Sequence, residues 1–227
     1  MKPSLVARPS HWPSLFALAT ALAVMCAGCS TPTATERFYA LSDGGASSAS
    51  ASVSASTSTS TAFPGIVISA VTVPELIDRP QIVTRDGGNR VNLAEQQLWA
   101  EPVKNGIARV LAARLAKSLA DAGRPAQVAA YPQTSIANPD VRITIDVLRF
   151  DATPGGEAVV DALWSVRRTS DATVRTGRTV AARPIAAASY DDTVRAWSDA
   201  LDQVGGDIAR VVMQDAWPAS KAPSPAR

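Results

Sequence analysis

The chain has 227 residues, 46% of them hydrophobic, with 22 Lys and Arg, 20 Asp and Glu, and one histidine. His11 and both cysteines, Cys26 and Cys29, lie near its beginning, so the rest lacks the side chains most used for nucleophilic and general-base chemistry at neutral pH. Without its first 28 residues the chain loses Lys2 and Arg8 but no acid, leaving 20 basic residues against 20 acidic ones; such a neutral chain has no electrostatic reason to seek nucleic acid.

Lys2 and Arg8 are followed by an apolar run from Leu15 to Met25, broken only by Thr20, and no acidic residue precedes Glu36. A positive start and a short apolar middle make a secretory signal. The run is too short to cross a bilayer, which takes roughly 20 residues as a helix. Ala27-Gly28 stand before Cys29, and small residues just ahead of a cysteine are what a lipoprotein signal peptidase requires. Cleavage there would discard Cys26 and make Cys29 the new N-terminus, with a covalent diacylglycerol on its sulfur and an N-acyl chain. A Cys26–Cys29 disulfide is then excluded, and two cysteines alone are too few for a closed zinc site; no cofactor is expected.

"RFYAL", residues 37–41, reads as a short strand. Residues 42–62 are almost wholly Ser, Ala, Thr and Gly, a composition that cannot bury enough apolar surface to offset its ordering entropy. They form either a tether between lipid and domain or a long loop after a first strand. "FPGIVISAVTVP", residues 63–74, is β-branched and fit for a buried strand. Two extended pieces then flank Asp86-Gly87-Gly88-Asn89, a hairpin signal. From Pro102 to Gly123 the apolar positions Val103, Ile107, Val110, Leu111, Leu115 and Leu119 share one side of an amphipathic helix. Residues 140–152 alternate apolar and polar, and turns at Pro154-Gly155-Gly156 and Ser170-Asp171 convert them into a three-strand meander. A last helix begins at Ser189, with Asp192 placed as in a capping box, and carries the stripe Val194, Trp197, Leu201, Val204, Ile208 and Val211. Gly205-Gly206 inside it marks either close helix packing or a weak point. The predicted fold is α+β, a two-layer sandwich of a mostly antiparallel sheet with both amphipathic helices on one face. The expected segments are a signal over 1–28, an acylated N-terminus, short strand and linker over 29–62, a folded domain over 63–217, and a disordered tail over 218–227.

No phosphate loop, zinc spacing or catalytic triad pattern is present. Asp191-Asp192 lies in a helix's first turn, where acidic residues complement the dipole, and Asp146 and Asp151 are expected to face water. Trp164 and Trp197 read as packing residues, whereas Trp99, in "LWAEP", introduces the helix and could be exposed. The chain is therefore not expected to be an enzyme.

Residues 71–115 resemble the ABC-type transport auxiliary lipoproteins, the PqiC/YmbA family of paraquat-inducible protein C. The resemblance rests on Tyr39-Ala40-Leu41, on "LIDRPQIV" at 76–83, and on Trp99-Ala100-Glu101-Pro102 ahead of the helix. It implies an outer-membrane lipoprotein on the periplasmic face, working with an MCE-domain protein and inner-membrane transporter subunits to move lipid between membranes. Ser30 beside the acylated cysteine agrees with outer-membrane sorting. Pro80 holds Arg79 extended and Asp78 can bond nearby backbone N–H groups, so Asp78, Arg79, Pro80, Trp99 and Glu101 are either a rigid turn and its packing or a surface that docks the partner. Self-association into a ring would suit a collar around a conduit. The rivals are a carrier with an acyl chain in an apolar cavity and a structural envelope lipoprotein.

Overall fold

A computed structural model describes residues 35–43, 63–133 and 135–214. The described residues from Glu36 on form one compact unit. Its elements in chain order are β1 (Arg37–Tyr39), β2 (Gly65–Thr72), β3 (Gln81–Arg85), β4 (Val91–Trp99), α1 (Val103–Asp121), β5 (Gln127–Ala130), β6 (Val141–Ala152), β7 (Glu157–Arg168), β8 (Val174–Pro184) and α2 (Tyr190–Gln214).

The strands divide over two mixed sheets, ordered β5-β2-β6-β7-β8 and β1-β4-β3. The meander forms as expected, with Val141 opposite Arg168 at one end of β6–β7 and Glu157 opposite Pro184 at one end of β7–β8. Beyond the meander the pairing turns parallel, because β2 adds to β6 on one side and β5 on the other. Both helices pack on this larger sheet and against each other, α1 over β2 and β5 and α2 over β7 and β8. On the helix-facing side Ile143, Ile145, Val160, Ala162 and Ala181 are buried beneath Leu111, Leu115, Leu201 and Ile208.

The smaller sheet joins this core through aromatic packing. Trp99 at the end of β4 lies 5.8 Å from Trp197 of α2, which stacks on Phe150 of β6 at 4.6 Å. The Trp197 Nε1–H donates to the Asp151 carbonyl oxygen at 3.0 Å. Trp99 is only 8% exposed, which corrects the expectation that it could stand open at the surface: β4 continues through it, so its ring turns inward. Asp151 is likewise largely covered rather than water-facing, held by Arg85 at 2.9 Å and Arg149 at 3.2 Å.

β1 pairs in parallel with β4, Phe38 opposite Leu98. The short strand therefore belongs to the folded unit, which begins ahead of the expected boundary at 63, and the Ser/Ala/Thr segment connects β1 to β2. Beyond β1, Leu41 is 3% exposed and the Ser42 N–H donates to Ser198 Oγ of α2 at 3.1 Å.

The helix ends follow local chemistry. Ser189 caps α2 by accepting from the Asp192 N–H at 3.1 Å, while its hydroxyl donates to the Asp192 carboxylate at 2.6 Å. That bond, followed by one to Arg195, holds the Asp192 carboxyl below the usual carboxylate range, even against the cost of burial. Gly123, at φ 71°, closes α1, with the Arg124 N–H reaching back to the Leu119 carbonyl at 2.8 Å. Of the two glycines of α2, Gly205 lies against Arg114 and Leu111 of α1, whereas no described residue approaches the Cβ direction of Gly206.

Candidate functional site

Cys29 and Ser30 lie outside the described residues. The other singled-out residues meet in one place. A cleft of about 370 Å³ is lined by Asp78, Arg79, Pro80, Trp99, Ala100, Glu101, Pro102 and Lys104. The turn 74–80 that builds one wall folds on itself, with Ile77 N–H donating to Pro74 O at 3.0 Å and Arg79 N–H to Ile77 O at 2.8 Å. It is held to the other wall where the Trp99 N–H donates to Pro80 O at 2.7 Å. Ala100 N–H in turn reaches Tyr39 O at 2.8 Å, so β1 braces the cleft from behind.

The charged groups sort into pairs and one exception. Asp78 accepts from Lys104 Nζ at 3.0 Å, not from the backbone N–H groups expected of it. Both side chains are more than a third exposed, and such a pair is worth at most about 1 kcal/mol. Glu101 Oε1 accepts from Arg109 Nε at 3.0 Å and Nη2 at 2.8 Å. Gly106 makes room for this arrangement, since a Cβ there would come 3.3 Å from Glu101 Oε1 and 3.5 Å from Leu41 Cδ1. Arg79 is the exception: it is half-buried, and its Nε is fully buried without any hydrogen-bond partner.

The first turn of α1 contains no acidic residue, and its N-terminus, at Pro102, has no side-chain cap. Lys104 was not singled out from sequence. Its signal was its position, because a cation in a helix's first turn opposes the dipole and calls for an anion elsewhere.

The remaining surface offers little chemistry. Among the described residues no group of three or more His, Cys, Asp or Glu is arranged to hold a metal ion. No described helix is long and apolar enough to cross a membrane. A groove between Pro64, Leu119, Pro125 and Met213 measures about 210 Å³.

Two sheets with two helices on the larger one, and a braced cleft where α1 begins, define an α+β domain. The sequence pattern of the ABC-type transport auxiliary lipoprotein component matches residues 39–209. The chain belongs to that family, whose members are auxiliary components of transport systems.

Among solved structures, a crystal structure of an uncharacterized protein aligns at 18% identity over 78% of this chain and 99% of its own, with a TM-score of 0.59. A protein from Xanthomonas campestris aligns at 22% identity over 69% of this chain and 92% of its own, with a TM-score of 0.53. Both share the fold. No curated protein matches the sequence.

Proposed function

We propose that this chain is acylated at Cys29, sorted by Ser30 to the periplasmic face of the outer membrane, and docks an MCE-domain protein there. In this reading it serves an intermembrane lipid transport system whose other subunits sit in the inner membrane. The observation that carries the docking role is the convergence of Asp78-Arg79-Pro80 with Trp99–Pro102 on one cleft, two family motifs separated in sequence and joined in space. Trp99 contributes from within, as a buried wall and anchor for the aromatic packing, so the surface a partner meets is made by Asp78, Arg79, Pro80, Ala100, Pro102 and Lys104.

The anchor and the cleft are linked by a short path. Only residues 30–36 separate Cys29 from β1, and at roughly 3.3–3.6 Å per extended residue the domain stays within about 30 Å of the acylated end. Carriage of an acyl chain inside the domain is the weaker reading, because the space between the helices and the larger sheet is filled by buried side chains such as Leu111, Leu115, Leu201 and Ile208.

The test is recovery of the MCE-domain protein with the tagged full chain from detergent-solubilised membranes. Stoichiometric recovery, with the chain in outer-membrane fractions, is expected. Absence of the MCE-domain protein, together with unchanged detergent resistance of cells lacking the gene, would contradict the reading.

A further inference from the structure

Arg79 combines three properties. It lines an open cleft. Its Nε is buried with no hydrogen-bond partner, so the desolvation of that group is uncompensated in the isolated chain. Both carboxylates beside it are taken, Asp78 by Lys104 and Glu101 by Arg109. Among the described residues it is thus the cation in this cleft left without an anion, and the adjacent first turn of α1 supplies no acidic residue either.

We infer that the cleft receives one carboxylate, an Asp or Glu side chain of the docking partner, on the guanidinium of Arg79. The planar fork of arginine matches a carboxylate through two parallel N–H···O bonds, here from the two Nη groups, since Nε is buried. Pro80 and Pro102, both exposed in the lining of the cleft, offer apolar surface to the residues flanking that acid. A phosphate group fits less well, because its double charge would face the Asp78 and Glu101 carboxylates that line the same cleft. The inference rests on the docking reading for the identity of the partner, but not for the existence of the acceptor site.

The experiment follows the Arg79 Nη–H resonances of the full acylated chain in detergent micelles, titrated with sodium acetate, sodium phosphate and sodium chloride at matched ionic strength. Acetate should move them along a saturating curve, with phosphate no more effective than chloride. In parallel, Arg79→Gln should lower recovery of the MCE-domain protein by about tenfold or more, with Arg79→Lys intermediate. Because Arg79 has no partner to lose, the Arg79→Gln chain should unfold within a few degrees of the parent; a larger drop would mean a structural role and overturn the inference. No response to acetate, or a response to phosphate alone, overturns it too. Recovery unaffected by Arg79→Gln does the same while leaving the docking reading intact. An acetate response combined with no MCE-domain protein on the unaltered chain would uphold the carboxylate site and reject that docking partner.

Discussion

The Arg109 Nη2 group donates to the Leu41 carbonyl oxygen at 2.8 Å across 68 positions of sequence, and the same guanidinium holds Glu101. One side chain of α1 therefore ties the segment after β1 to the rim of the cleft. Arg109→Ala should cost about 1 kcal/mol, since hydrogen bonds from a charged donor are worth somewhat more but this side chain is about half exposed. The more telling readout is local: amide exchange at Ser42 and Ala100 should accelerate while exchange in β6 and β7 stays unchanged. Uniform acceleration throughout the domain would show that β1 is not an independently releasable brace.

Gly177 of β8 faces Trp164 of β7 directly, and a Cβ built on it would sit 2.2 Å from Trp164 Cζ2. The indole cannot easily retreat, because it is 7% exposed and its Nε1–H donates to Thr179 Oγ1 at 3.1 Å. Gly177→Ala should destabilise the domain by about 3 kcal/mol through overpacking. The double variant with Trp164→Leu should recover part of that loss in chemical denaturation, since contacting residues are not additive. Strict additivity would refute the contact.

The two adjacent glycines of α2 should respond oppositely to alanine. At Gly206 there is open space, so Gly206→Ala should gain about 0.5–1 kcal/mol from helix propensity. At Gly205 the added Cβ would lie 3.1 Å from Arg114 Cβ and push α1 away from α2, so Gly205→Ala should end at least ~1 kcal/mol below Gly206→Ala. Equal midpoints for the two variants would mean that the helices can separate without cost.

Asp161 is buried on β7, and Arg178 holds it with Nε to Oδ1 at 2.9 Å and Nη2 to Oδ2 at 2.7 Å. These bonds, opposed by burial and reinforced by the charges of Arg178 and Arg149, lower its carboxyl below the ordinary value. A depressed carboxyl contributes stability that is fully present above its unfolded pKa of about 3.9 and is lost as pH falls through the folded value. Asp161→Asn should therefore be less stable than the parent at pH 7, with the gap closing as the medium is taken below about pH 4. A gap independent of pH would assign the loss to packing.

What the sequence disclosed and what it hid follow from the range of the forces involved. Local rules reached the hairpin at Asp86–Asn89, the cap at Ser189 and Asp192, the end of α1 at Gly123 and the meander, because each is written within a few residues. The parallel additions of β5 and β1 escaped local reading. "QVAA" at 127–130 has no alternation to mark it, and partners distant in sequence leave no local trace. Trp99 was misread because the Pro102 that starts α1 drew "LWAEP" toward the helix, while β4 runs on to the indole itself. The residues of the cleft were singled out only through resemblance: nothing in residues 76–83 announces that they will face residues 99–104. Lys104 could have been found, since a first-turn lysine needs an anion, but Asp78 could not have been named as that anion without the fold.

The central claim is that this domain works from a lipid anchor at Cys29. Intact mass analysis of the chain purified from membranes tests it most directly. The account predicts a species beginning at Cys29 and heavier than the unmodified residues 29–227 by a diacylglyceryl group and one further acyl chain. A chain that begins elsewhere, or one whose Cys29 carries no lipid, would contradict it.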